Sequence, residues 1–176
     1  MLFVFALLAI VPGYPEAPIL VGETRFAPGS AETAVARTVG GIASYTRWPE
    51  PASPTLRICV SGTTRYAARL NEAGRLAGRP VAIRRLGAGA PPDGCDLLYL
   101  GAMQPAENLK MIRATHGRAI LSIAEADPVC RGGAMFCLAV NAASLSFQIN
   151  IDAISRSTLR VDPRVQRVAT PAGGGN

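Results

Sequence analysis

The chain has one histidine, one tryptophan and few aromatic residues, which make up 6% of it. With a lone imidazole at His116 and no pair of cysteines at Cys-x2–4-Cys spacing, the ligand sets that hold structural zinc are missing. No Gly-x-Ser-x-Gly elbow and no Glu-rich pocket signature is present, so acyl transfer and metal hydrolysis lack a constellation. Ser61-Gly62-Thr63-Thr64 has no P-loop lysine, and Gly87-Ala88-Gly89 runs into Ala90-Pro91-Pro92; both read as turns rather than phosphate cradles. Long runs of like charge are also absent. The 18 basic residues, nearly all Arg, outnumber 12 acidic ones for a net charge of +6, yet they are spread along the chain without aromatic interleaving. A nucleic-acid footprint is therefore not expected, and the basic surface suits an acidic partner or an anionic ligand. These absences point to a binding protein, not an enzyme, with no cofactor.

An apolar run from Met1 to Val11 ends at Pro12-Gly13. It has the length of a signal-peptide core and is too short to span a bilayer. No Lys or Arg precedes Arg25 and no Ala-x-Ala site follows, but export remains the favoured reading. Nothing later is long and apolar enough to cross a membrane. In an exported chain, the four cysteines Cys59, Cys95, Cys130 and Cys137 are expected to form disulfides, with three connectivities open.

The composition, 49% hydrophobic and 17% charged, is that of a globular chain of about one domain. Residues 1–30 read as signal peptide and linker, 31–169 as the folded domain and 170–176 as a disordered tail. From Glu32 to Tyr45, Ala34, Val35, Val39, Ile42 and Ala43 recur at helical spacing until Trp48-Pro49 stops the helix. Leu56–Val60 reads as a strand, Thr63–Arg75 as a helix, Pro80–Leu86 as a strand, Cys95–Leu100 as a buried strand and Pro105–His116 as a helix. Further strands are expected at Arg118–Ile123, Ala134–Val140 and Leu145–Ile149. A final helix follows through Ser157, and Pro163–Val168 reads as a short basic turn. Met135, Phe136, Phe147 and Ile149 alternate as core positions. This order predicts an α/β domain with a mixed, mostly parallel sheet flanked by helices. There is no internal repeat.

The motifs Ser44-Tyr45-Thr46-Arg47-Trp48-Pro49, Leu56-Arg57-Ile58-Cys59-Val60, Gly78-Arg79-Pro80, Cys95-Asp96-Leu97-Leu98-Tyr99-Leu100-Gly101, Leu121-Ser122-Ile123, Met135-Phe136-Cys137-Leu138, Phe147-Gln148-Ile149-Asn150-Ile151-Asp152 and Ile154-Ser155-Arg156-Ser157 stand in one order. Together they resemble the YfiR family of periplasmic proteins over about 34–169. The resemblance implies a periplasmic repressor that binds the periplasmic sensor domain of a YfiN-type inner-membrane diguanylate cyclase and keeps cyclic-di-GMP, and hence biofilm formation, low. It also implies capture by a YfiB-type outer-membrane lipoprotein, a homodimer, and loss of repression on reduction or misfolding.

The same resemblance supports pairing Cys59 with Cys95 and Cys130 with Cys137. Loop-closure entropy puts such links at about 4 kcal/mol for the longer and about 2.5 kcal/mol for the shorter. Similar proteins have been proposed to hold a nucleotide monophosphate or an aromatic amino acid, which here implies Arg47, Arg156 and Arg160 as ligand-binding residues. Arginine forks suit phosphate and carboxylate groups. The alternative for the Arg47-Trp48 corner is structural, with Trp48 packed on the core and Arg47 capping the helix C-terminus. One departure stands out: Asp162 occupies a position where relatives are expected to carry His, which would set an acid against an anionic ligand.

Overall fold

The computed structural model describes residues 19–71, 75–76 and 78–169. Residues 1–18 of the expected signal peptide and linker (1–30), and the expected tail (170–176), lie outside these residues. The elements run β1 (Ile19–Arg25), α1 (Ala31–Ser44), β2 (Thr46–Arg47), β3 (Leu56–Ser61), β4 (Arg75–Leu76), β5 (Arg79–Arg85) and β6 (Leu97–Leu100). Then come α2 (Pro105–Arg113), β7 (Leu121–Ala124), β8 (Phe136–Val140), β9 (Ser144–Ile149), α3 (Ile151–Ser155) and β10 (Arg160–Val161). Short 3-10 turns lie at Ala67–Arg69 and Pro163–Ala169.

Eight strands form one sheet in the order β1-β9-β8-β7-β6-β3-β5-β4. Its centre, β5-β3-β6-β7-β8, is parallel, and antiparallel strands finish both margins. The expected mixed, mostly parallel α/β domain is what forms. Strands β6 and β7 are buried along their whole length, as parallel strands covered on both faces are, whereas β3 exposes Arg57 and β5 is largely exposed. Leu56, Ile58 and Val60, with Leu97, Tyr99, Leu121, Ile123, Phe136 and Leu138, pack toward α1, whose Val35, Val39 and Ile42 are fully buried. Met135, Phe136, Phe147 and Ile149 are core, as their alternation predicts.

The opposite face is thinner. There Leu98, Leu100 and Ala124 share a smaller buried cluster with Met111 and Ile112 of α2, Ile120, Ala134 and the four cysteines Cys59, Cys95, Cys130 and Cys137. The cysteines form the implied pairs, Cys59–Cys95 and Cys130–Cys137, with Cα separations of 5.7 and 5.4 Å. Cys59 and Cys95 tie β3 to the entry of β6, two strands already in parallel register. Cys130–Cys137 braces residues 125–135, a parallel crossover from β7 to β8 that contains no helix. Such crossovers are usually helical; here the disulfide supplies the buried bulk a helix would bring.

Three expectations change. The stretch expected as linker contains β1, which pairs antiparallel with β9 from Ile19↔Ile149 to Arg25↔Ser144, so order begins before Ala31. An edge strand of this kind is recruited by the open backbone groups of β9, a pull that leaves no periodic trace in its own residues. The expected helix over Thr63–Arg75 is, in its described part, only the 3-10 turn at Ala67–Arg69. Its first backbone groups are taken by tertiary partners: Thr63 exchanges both hydrogen bonds with Ala102, at 2.9 and 2.8 Å, and the Arg65 and Tyr66 N–H groups donate to the Glu125 carboxylate. Gly101 permits the Thr63–Ala102 contact, since a Cβ there would overlap the Thr63 carbonyl. The two-stranded ribbon of β2 and β10, each only two residues long, has no counterpart in the sequence reading.

Replacing Cys59 and Cys95 together by Ala is expected to lower stability by about 4 kcal/mol and replacing Cys130 and Cys137 by about 2.5 kcal/mol, from loop-closure entropy. Urea denaturation of the two double variants measures both; equal losses would show that cavity formation, not loop length, dominates.

Candidate functional site

At the end of α1, Tyr45 closes the helix through its N–H to the Gly41 and Ile42 carbonyls, and Thr46 Oγ1 donates to Ile42 O at 2.9 Å. The chain then turns into β2, which pairs antiparallel with β10 in the register Arg47↔Arg160 and Thr46↔Val161. A further bond from Asp162 N to Tyr45 O, 2.9 Å, holds the ribbon to the helix end. Two arginines thus stand directly opposite one another. Like charges at such a position repel, and an anion placed between them would remove that cost.

Trp48 is half-buried beside them. Its ring packs on the core and its Nε1–H donates to Asp96 O at 3.1 Å. The Arg79 guanidinium lies over the ring, 4.7 Å from its centroid, within cation–π range. Arg79 Nη1 donates to Ser53 O at 2.9 Å, whereas Nη2 is buried without a hydrogen-bond acceptor among the described residues. A buried donor left open costs free energy. Arg47, Trp48, Glu50, Arg79, Thr158 and Arg160 together line an open cleft of about 660 Å3. Three guanidinium groups, one of them over the Trp48 ring, thus face the cleft, with Glu50 the acid in its lining.

Of the three arginines expected to bind ligand, the structure brings together Arg47 and Arg160. Arg156 lies elsewhere: it pairs with Asp152 one helical turn back, Nη2 to Oδ2 at 2.7 Å and Nε to Oδ1 at 3.2 Å, beside a separate depression near α2. Arg79 takes the third place. Nothing local in Gly78-Arg79-Pro80 marks Arg79 for this role; the pairing of β5 with β3 carries it to the cleft. Of the structural alternative for this corner, the Trp48 packing holds, but Arg47 makes no hydrogen bond to an α1 carbonyl among the described residues. Asp162 does not line the cleft. Its carboxylate accepts from Arg164 Nη2 at 2.7 Å, Nε at 3.0 Å and the Arg164 backbone N at 2.9 Å. Those bonds, with a smaller contribution from Arg47, hold its pKa down at about 2. The acid that would oppose an anion is thereby engaged by a cation of its own. Among the described residues no cluster of His, Cys, Asp and Glu suits a metal ion.

Because the folded-state pKa of Asp162 is depressed, its clasp stabilises the protein above the ordinary value of 3.8 and is lost as pH falls through about 2. An NMR titration should place the Asp162 carboxyl midpoint near pH 2 in the native protein and return it toward 3.8 in Arg164→Gln. A native midpoint already near 3.8 would show that the clasp does not persist in solution.

Solved structures similar to the chain include the aspartate aminotransferase of subgroup IV from Thermus thermophilus, 13% identical, with a TM-score of 0.49 over 85% of this chain and 47% of that enzyme. Another is the alanine–glyoxylate aminotransferase from Nostoc sp., 12% identical, with a TM-score of 0.42 over 85% of this chain and 45% of that one. The chain spans under half the length of each enzyme, and likeness this slight carries no argument about fold or activity. A protein-family profile is more informative: the one described as YfiR/HmsC-like matches residues 32–170, from the first turn of α1 to just past the last described residue. The chain belongs to the YfiR/HmsC-like family.

Proposed function

We propose that this protein is a periplasmic negative regulator that binds the periplasmic sensor domain of an inner-membrane diguanylate cyclase and restrains cyclic-di-GMP synthesis and biofilm formation. The family match over residues 32–170 is the observation that carries the reading. Supporting it, no helix among the described residues is long and apolar enough to cross a membrane, and both disulfides are of a kind that persists in an oxidising compartment. On this reading an export leader is removed before β1, so that Ile19–Arg25 remains to complete the sheet. A YfiB-type outer-membrane lipoprotein would compete for the regulator, and the working unit would be a homodimer. The protein acts by binding, without catalysis.

The disulfides bear on this role through geometry. Both lie on the thin face of the sheet, in the buried cluster that holds Met111 and Ile112 of α2, so reduction removes cross-links where few apolar contacts remain to hold shape. Reduced protein should keep its α1-side core longer than its α2-side surface.

A second reading, ligand binding within the same role, is favoured by the open Arg79 Nη2 and the opposed Arg47 and Arg160. The cleft would take a nucleotide monophosphate or an aromatic amino acid, the ring stacking near Trp48 and the phosphate or carboxylate reaching the arginines.

Calorimetric titration of the mature protein with the periplasmic domain of its cognate cyclase should give tight binding when oxidised and at least tenfold weaker binding after reduction; no heat in either state would sink the regulator reading. Separately, guanosine monophosphate or tryptophan should raise the melting temperature of the native protein, and Arg47→Ala and Arg160→Ala should each abolish the shift. A shift unaffected by either variant would place the ligand outside this cleft.

A further inference from the structure

The thin face carries an unfilled feature between α2 and the crossover 125–135. Two depressions meet there. One, of about 490 Å3, opens at the carboxyl ends of β6 and β7 and is lined by Met103, Leu109, Ala124 and Ala126 among others. Its neighbour, of about 260 Å3, lies between the end of α2 and α3 and is lined by Arg113, His116, Arg131 and Arg156. Leu109, Arg131 and Gly132 belong to both, so the two halves form one groove with an apolar end and a cationic end.

The walls are built rather than incidental. Asn108 Nδ2 donates to Gly132 O at 3.2 Å, and Gly132 sits so close to α2 that a Cβ would overlap the Asn108 amide. From the other side, the Asp127 carboxylate accepts from Arg131 N at 3.0 Å and Gly132 N at 2.6 Å, which fixes the loop that presents Arg131. The Cys130–Cys137 bond closes that loop from beneath.

Charge decides the occupant. Asp152 is committed to Arg156, and Asp127 to the loop backbone. The guanidinium groups of Arg113 and Arg131 have no carboxylate partner among the described residues, and both residues are exposed. Beside them Leu109 leaves 47% of its surface in water. Apolar area flanked by uncommitted arginine is the composition of protein interfaces, in which Arg and large apolar residues are enriched. A small anion would gain from the arginines but leave Leu109 and Met103 wet.

We infer that this groove docks an extended acidic segment of a partner protein, an apolar side chain of the segment lying against Met103 and Leu109 and its Asp or Glu carboxylates pairing with Arg113 and Arg131. The groove is separate from the Arg47–Trp48 cleft, with which it shares no lining residue, and the inference stands independently of which partner the protein regulates.

The test uses the full oxidised protein, 15N-labelled, titrated with the blocked peptide acetyl-Leu-Ala-Glu-Glu-Glu-amide, its Gln counterpart and inorganic phosphate. The acidic peptide should shift the amides of Leu109, Arg113 and Arg131–Gly133. The Gln peptide should bind at least tenfold more weakly, and Arg113→Gln/Arg131→Gln should weaken the acidic peptide about tenfold with its melting temperature unchanged. Perturbations elsewhere, equal binding of the Gln peptide, or silence at millimolar peptide would overturn the inference. Phosphate binding here as tightly as the acidic peptide would overturn it in favour of a small-anion site.

Discussion

The fold and the cleft both hang on Asp96. The residue is nearly fully buried, at 7% exposure, and its carboxylate accepts three hydrogen bonds from Arg57: the backbone N at 2.8 Å and the guanidinium Nε and Nη2 at 3.1 Å each. Its own N–H returns a bond to Arg57 O at 2.8 Å, and its carbonyl accepts from Trp48 Nε1 and from Leu121 N. One residue therefore joins β3, the entry of β6, the entry of β7 and the indole of the cleft. A buried carboxylate is tolerable only when such bonds replace its water. Arg57 is raised in pKa first by its bond to Asp96, so its guanidinium stays a charged donor to that carboxylate. Cys95, the preceding residue, is bonded to Cys59, which locks the same junction covalently.

Glu125 plays the matching part at the other end of the central strands. Buried at 7% exposure, it accepts from Tyr99 Oη at 2.7 Å and from the Arg65 and Tyr66 backbone, tying the strand ends of β6 and β7 to the loop after β3. Burial, and then the neighbouring carboxylate, push the Tyr99 hydroxyl far above its ordinary pKa, so it remains a donor. The parallel sheet is thus clamped by one buried acid at each end, and the two faces can differ. Toward α1 it has a deep apolar core; toward α2, a shallow one supplemented by sulfur. The groove and its arginines lie on the shallow side, where surface shape depends most on the disulfide-braced crossover.

Much of this was legible residue by residue. The helical spacing of Val35, Val39 and Ile42 specifies α1, the short β-branched segment Leu56–Val60 specifies a strand, and the apolar run Leu97–Leu100 specifies a buried one, because strands covered on both faces are apolar throughout. The four cysteines, in a chain whose first residues read as a signal peptide, announced cross-links, and the order of motifs announced the family, although their pairing came with the resemblance and not from spacing. The Arg47-Trp48 corner stood out as a helix break carrying a fork and an indole.

What only the tertiary structure decided are the matters settled by partners distant in sequence. Glu125 and Ala102 drew off the backbone bonds that a helix after Thr63 would have used. The open edge of β9 made a strand of Ile19–Arg25. The β2–β10 ribbon set Arg160 across from Arg47, parallel pairing of β5 brought in Arg79, and Asp152 drew Arg156 away. Periodicity and composition report which faces of a segment are apolar, and so they determine elements and core. A polar side chain's neighbour across the sheet depends on register and on competition among hydrogen bonds, which exist only once the chain has closed on itself.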